Sequence, residues 1–444
     1  MAIPEDYKGK YFYHFTHIEN LDSILKHGFL CTNLKDKLKL LHTNVASENI
    51  QNRRSEMKVT CGPQGVVHDY VPFYLATTNP MALAVVNGKN VDQIDLVFVA
   101  ISIEKVLEDN VIFTDASANT IVSPNFFTKP EDLKKLNWEA IDSRKWGNIN
   151  DNWKHERMAE VLISDRVPIE WIDYIIVWNK HRKKIVLDTF NDNGIAAPRV
   201  EYSLNGRHFY FTKFALGRPG ETLVTGPNHM QNLFLGISEK IIESRKQVEK
   251  FTFDNIKDAL SEISKNFCAI EELEGIFELE TINDVHKENV SDHTLNVVSN
   301  LEKIKHYKRL DANEKELVKL SAYLHDIGKG PSRKWKNGKQ PAYADHPADS
   351  LKMLVRFLSE DIKNLSDKNI KLICLLVAYH DLLGDIVGKG RSIKELLNII
   401  ESKKELKMLI ALSLADIGAI NSDWLESLQL ELPAIVKKVK ANLK

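Results

Sequence analysis

Near Ile237 the spacing of apolar residues changes, and that change divides the chain into a mixed first half and a helical second half. Before it, short apolar runs alternate with turns and polar stretches. After it, apolar residues recur three and four positions apart through to Lys444, as on the buried faces of successive helices. Strands followed by a long helical run read as one α+β fold or as separate domains. The length of 444 residues selects separate domains, because single cores stop growing at roughly 250–300 residues. The expected division is a mixed α+β domain over 1–210, a mostly helical connector over 211–285 and an all-α domain over 286–444. The connector opens on the Gly/Pro-rich turn GRPGETLVTGP.

A net charge of -1 excludes a wholly basic nucleic-acid coat, so any such contact must come from a local patch. The four cysteines, Cys31, Cys61, Cys268 and Cys374, form no CxxC pair, which argues against a zinc finger or disulfide framework. The first ten residues lack the apolar stretch of a signal peptide, and no apolar run is long enough to span a membrane. A cytoplasmic location without membrane association is expected.

In the first half, Asp95–Ile103 (DLVFVAISI), Trp171–Trp178 (WIDYIIVW) and Arg207–Lys213 (RHFYFTK) read as strands. The segment YFYHFTHIENLDSILKHGFL starts as a strand and turns through Thr16 to Asn20 into a helix that stops at Gly28. Such a strand presents His14 and Thr16 to a polar ligand; equally, it is a plain strand-to-helix turn with Asn20 as the cap. Glu160, just ahead of an apolar VLI, stands where a cleft acid often stands, although periodicity alone makes it an exposed glutamate. The doublet Arg53–Arg54 belongs to a basic stretch, residues 33–66, and reads by itself as a solvated loop. Residues 114–152 carry weak periodicity, and Trp138, Trp146 and Trp153 lie in or beside them.

The second half carries the clearer chemistry. His325 and Asp326 close an apolar helix (LSAYLHDIGKG), and an adjacent imidazole and carboxylate can ligate one divalent cation. Other helices offer His293 and Asp416 as further ligands, with His346 and His380 between them. Asp416 lies in a run (LIALSLADIGAI) so apolar that an unpaired carboxylate would be costly there. Any one of these histidines has an ordinary structural reading; the ordered set is harder to dismiss.

The order His293, His325–Asp326, Asp416 resembles the HD superfamily of metal-dependent phosphohydrolases, over about 286–425. The resemblance implies a metal such as manganese, iron, nickel or magnesium. It also implies a second metal or a phosphate at His346, His380 and Lys329; a solvated helix-end lysine is the other reading of Lys329.

The first half resembles the DarT family. The phrases HFTHIENLDSILKHGFL, IQNRR, GVVHDYVPFYLATTNPMALAVV and AEVLI occur in that family's order over about 200 residues. The resemblance implies an ADP-ribosyltransferase fold and a transferase that moves ADP-ribose from NAD to bases of nucleic acid, generally single-stranded DNA, with RNA an alternative. It implies an NAD cleft lined by His14, Thr16, Asn20 and Tyr74, with Glu160 as the catalytic carboxylate and Arg54, or Arg53, as the catalytic arginine. The three tryptophans, with Arg144 and Lys145, would then face the acceptor. The stretch after VPFY departs from the family by lacking an arginine, so base preference does not carry over.

Together these readings describe a bifunctional enzyme in a toxin or phage-defence setting, with an antitoxin protein as a candidate partner. The HD domain would reverse, process or regulate the mark. The alternatives are an HD domain that senses a nucleotide without hydrolysing it, and a transferase that modifies protein.

Overall fold

The run Leu96–Ser102 is buried along all but its last residue, which a strand achieves only inside a sheet covered on both faces. In the computed structural model, which describes residues 2–43, 45, 48–119, 123–147, 150–202, 209–282 and 288–443, that run is a central strand. The strands are β1 (Tyr11–His17), β2 (Phe29–Leu30), β3 (Tyr70–Tyr74), β4 (Leu96–Ser102), β5 (Val111–Thr114), β6 (Phe126–Phe127), β7 (Glu160–Ser164), β8 (Arg166–Val167), β9 (Tyr174–Val177) and β10 (Arg199–Tyr202). Eight of them form one sheet in the order β10-β9-β4-β1-β3-β7-β5-β6, and β2 pairs with β8.

All pairs in that sheet are antiparallel except β9 with β10, which the helix Lys180–Asp192 connects. The register sets Tyr74 opposite both Tyr13 and Glu160. β3 therefore lies between β1 and β7, with Tyr74 in register with Glu160.

The helix begun after Asn20 runs Leu21–His27 and ends at Gly28, whose φ of 76° suits glycine; a Cβ there would also press on the Val167 carbonyl. Two strand expectations shrink. Trp171 lies in a 3-10 turn and its strand is Tyr174–Val177. Of RHFYFTK only Thr212–Lys213 is a strand, and Arg207 and His208 lie outside the described residues. Phe211 bonds through its backbone to the Gln93 side chain instead, and the Tyr210 hydroxyl donates to the Leu96 carbonyl.

The chain divides into two compact units: Met1–Asn87 with Val91–Leu223, and Gly88–Asn90 with Val224–Lys444. The stretch read as a connector is shared between them. Its helix Pro227–Arg245 buries Met230, Phe234 and Ile241 and packs on the helices Asp367–Tyr379 and His346–Arg356. An amphipathic helix with that face is part of a core, not a spacer.

The remaining framework of the second unit includes Val290–Leu301, Ala312–Leu324, Leu382–Gly388, Lys403–Ile420 and Ser422–Asn442. No helix among the described residues is long and apolar enough to cross a membrane.

Candidate active sites

In the first unit, Glu160 opens β7 and is 0% exposed. Its two carboxylate oxygens accept from the two terminal nitrogens of Arg54, each at 3.0 Å. The backbone amide of Ala118 donates to Oε1 at 2.9 Å, and the Glu160 amide donates to Thr114 Oγ1 at 3.0 Å. The carboxylate is thus fixed by a fork-shaped cation and a backbone donor. Burial opposes the charge of Arg54, but Glu160 outweighs it and raises the guanidinium pKa further. Arg53 is exposed, so of the doublet only Arg54 joins this pair.

Beside the pair lies a cavity of about 360 Å³, within the range of small-molecule pockets. His14, Thr16, Asn20, Arg54 and Tyr74 all line it. His14 donates from Nδ1 to the Pro72 carbonyl at 2.7 Å, and burial lowers its pKa to about 4. Its ring is therefore neutral near pH 7, with Nε2 left as an acceptor. Burial and then the Glu160 carboxylate push the Tyr74 phenol well above its usual range, so it remains a donor.

Asn20 does not cap its helix through its side chain. Its amide instead donates to Thr16 Oγ1 (3.0 Å) and the Thr43 carbonyl (2.9 Å) and accepts from the Thr43 amide (2.7 Å). That ties β1 to the segment ahead of Arg54.

The tryptophans separate. Trp138 stacks on Tyr7 and donates to the Leu133 carbonyl. Trp146 lies under the Arg157 guanidinium at 4.1 Å. Trp138 and Trp153 line an open groove with Arg144 and Lys145.

In the second unit, side chains from five helices or helix ends meet. His293 sits within Val290–Leu301, His325 and Asp326 follow Ala312–Leu324, and His346 opens His346–Arg356. His380 follows Asp367–Tyr379, and Asp416 lies in Lys403–Ile420. All six are buried. His293 Nε2 is 3.0 Å from Asp416 Oδ1 and 3.7 Å from Asp326 Oδ2, and His325 Nε2 is 3.3 Å from Asp326 Oδ2. On the other side, His346 Nε2 is 3.1 Å from both Asp326 Oδ1 and His380 Nε2.

The ring orientations are set from behind. Nδ1 of His325, His346 and His380 meets the carbonyl of Ala322, Tyr343 and Val377 at 2.7, 2.8 and 2.8 Å. With Nδ1 donating, each Nε2 presents a lone pair inward. The Nε2 atoms of His346 and His380 and the Oδ1 of Asp326 then face one another as acceptors. Among the described residues, His325 Nε2 and Asp326 Oδ1 are buried without a hydrogen-bond partner. Acceptors so crowded call for a cation between them.

The trios His293–His325–Asp416, His325–Asp326–His380 and His346–His380–Asp381 each gather their ligand atoms within 4.8 Å. The donor set fits a divalent metal of the imidazole- and carboxylate-binding kind.

Without an ion, burial disfavours a charged His325, but Asp326 and then Asp416 overcome this and raise its pKa to about 9. Burial lowers that of His380. Lys329 is not a solvated end: it is 9% exposed and its Nζ lies 2.6 Å from Asp326 Oδ2. Gly328 makes the turn possible, since a Cβ there would collide with the backbones of His346 and Ser350. Ser350 Oγ accepts from the Gly328 amide and donates to the His325 carbonyl.

Asp381 escaped the sequence reading. Its signal was the pair His380–Asp381, which repeats the His325–Asp326 pattern at the end of another apolar helix. The Ala118 amide carried no signal, since a backbone donor has no residue type.

Residues 13–211 match the family described as ssDNA thymidine ADP-ribosyltransferase, DarT, and residues 290–417 match the HD domain. A DNA ADP-ribosyl transferase of Thermus aquaticus is 35% identical over 173 residues, which span 38% of this chain and 75% of the relative. One from Thermus sp. strain 2.9 is 32% identical over 179 residues, 39% of this chain and 84% of the relative. Among solved structures, Thermus sp. 2.9 DarT in complex with ADP-ribosylated ssDNA aligns over 47% of this chain and 99% of its own, at 28% identity and a TM-score of 0.42.

Proposed function

Through its first unit the chain belongs to the DarT family of DNA ADP-ribosyl transferases, and from that premise we propose that it transfers ADP-ribose from NAD to a base of single-stranded DNA at Arg54 and Glu160. The observation that carries this reading is the buried Arg54–Glu160 pair at the edge of the cavity holding His14, Asn20 and Tyr74. In the reaction, the bond between the anomeric carbon and the nicotinamide nitrogen breaks, and its electron pair leaves with nicotinamide. A base nitrogen donates its pair to that carbon and loses its proton. Positive charge gathers at the sugar meanwhile, and a fixed carboxylate shielded from water stabilises it strongly.

Arg54 contacts both Glu160 oxygens, yet each carboxylate oxygen can accept twice, as Oε1 does from Arg54 and the Ala118 amide. A ribose hydroxyl can therefore donate to Oε2 with the ion pair intact. Arg54 also lines the cavity, where pyrophosphate oxygens of NAD would suit its fork. Labelled NAD offered with DNA, RNA and protein acceptors tests the reading. Label is expected on single-stranded DNA and lost in Glu160→Gln; label on protein alone contradicts it.

For the second unit we propose metal-dependent hydrolysis of a phosphoester. His293, His325 and Asp416 would hold one ion and His346, His380 and Asp381 another. Asp326 faces the first trio through Oδ2 and His346 through Oδ1. A bound ion there supplies acidity to water and charge neutralisation to phosphate. Lys329 holds the Asp326 carboxylate in place. Phosphate release from nucleotides with manganese present, absent in a His325→Ala/Asp326→Ala variant, is the expected result. Nucleotide binding with no release contradicts it. The setting we propose is toxin or phage defence, with a DNA mark made by the first unit and processed by the second.

A further inference from the structure

Arg157 is 0% exposed, yet no carboxylate lies within ion-pair distance of it among the described residues. Its three nitrogens donate to neutral acceptors on two turns. Nε reaches the Thr78 carbonyl at 3.1 Å, Nη2 the Thr78 hydroxyl at 3.3 Å, and Nη1 the Lys145 carbonyl at 2.8 Å. The face of Trp146 covers the guanidinium at 4.1 Å, and that indole makes a T-shaped contact with Phe211. Burial draws the pKa of Arg157 down to about 10, so it keeps its charge near pH 7.

A buried cation without a counter-ion is a costly way to fill space, and an apolar side chain of similar volume would do so at less cost. The fork does something an apolar residue cannot: it fixes two turns against each other. One turn follows β3, and neither Thr78 nor the other clamped residues line the cavity assigned to NAD. The other turn carries Arg144 and Lys145, whose side chains are exposed. Arg157 itself stands three residues ahead of Glu160, on the segment that enters β7. The clamp therefore fixes a pair of surface cations relative to the catalytic carboxylate from outside the dinucleotide cavity.

We infer that Arg157 is a positioning residue for the acceptor. Resting on the transferase reading above, it holds the Arg144–Lys145 turn so that these cations meet backbone phosphates of the single strand. Phosphate contacts set register and make binding salt-dependent, and they do not touch NAD.

The test compares full-length Arg157→Gln, Arg157→Lys and Thr78→Val with the unaltered chain. In Arg157→Gln, KM for a single-stranded oligonucleotide should rise about 10- to 100-fold, the scale of a misplaced positioning group. The salt dependence of oligonucleotide binding should flatten by about 0.7 in log–log slope for each phosphate that is no longer neutralised. KM for NAD, and NAD hydrolysis without DNA, should hold within about two-fold, since no interaction with NAD is removed. Thr78→Val, which deletes one acceptor, should move the same quantities in the same direction, and Arg157→Lys, which keeps the charge without the fork, should fall between. These two variants decide the matter if Arg157→Gln does not fold. Parallel loss of NAD hydrolysis and transfer overturns the assignment, as does an unchanged oligonucleotide KM and salt slope. If the unaltered chain transfers to no DNA at all, the transferase reading falls first and the acceptor role with it.

Discussion

One guanidinium, that of Arg54, occupies both carboxylate oxygens of Glu160 at 3.0 Å, across 106 residues of sequence. The pair is sealed from solvent on the Glu160 side and open to the cavity on the Arg54 side. Stability and the proposed reactivity are therefore coupled at these two residues.

Removing one charge of this pair strands the other. Glu160→Gln should abolish transfer and destabilise the first unit by about 3–5 kcal/mol, the usual penalty for leaving a buried charge alone. Arg54→Lys keeps the charge but cannot span both oxygens. It should fold with a smaller penalty and still lower transfer by about 100-fold, as removal of an electrostatic stabiliser does. Thermal unfolding beside labelled-NAD transfer checks both.

How much of this was readable in the sequence depended on how local each cause was. β1 and β4 were legible because alternating aromatics and a long apolar run carry their own signal. Glu160 reads as exposed by periodicity because its burial depends on Arg54, far away in sequence. Asn20 has the residue type of a cap, but Thr43 offered its amide better partners. The helix Pro227–Arg245 was legible as amphipathic, yet nothing in its own residues said which helices cover its face. The HD cluster was legible by residue order, since histidine and aspartate in apolar helices need a reason. That Asp326 turns its two oxygens to different partners was not.

Gly328 is a packing requirement of the histidine–aspartate cluster. Gly328→Ala would drive a methyl into the backbones of His346 and Ser350. Overpacking of this kind costs about 1–3 kcal/mol, and here it displaces His346 as well. Manganese stoichiometry by elemental analysis should fall, with the N-terminal transfer activity measured in the same sample as the folding control.

Metal binding should depend on pH with a definite sign. With no ion bound, the Asp326 and Asp416 carboxylates outweigh burial and hold a proton on His325 up to about pH 9. A ligand must shed that proton. Apparent manganese affinity should therefore rise with pH up to about 9, by about ten-fold per unit for this one proton, with proton release on binding. Calorimetry at several pH values, in buffers of different ionisation enthalpy, reads both. An affinity flat from pH 6 to pH 8 would contradict it.

Chelation should soften the second unit. An ion present at 100 times its Kd stabilises the folded state by about 2.7 kcal/mol. Adding chelator should lower the unfolding midpoint of that unit, and manganese should restore it. His325→Ala/Asp326→Ala should show a smaller manganese-dependent rise in unfolding midpoint than the unaltered chain, since the His346–His380–Asp381 trio is left in place.

The most direct test is the intact mass of a synthetic single-stranded DNA oligonucleotide after incubation with NAD and the full chain. The expected result is an oligonucleotide heavier by one ADP-ribose with the unaltered chain and unchanged with Glu160→Gln. An unmodified oligonucleotide with the unaltered chain, or the same adduct with Glu160→Gln, would contradict it.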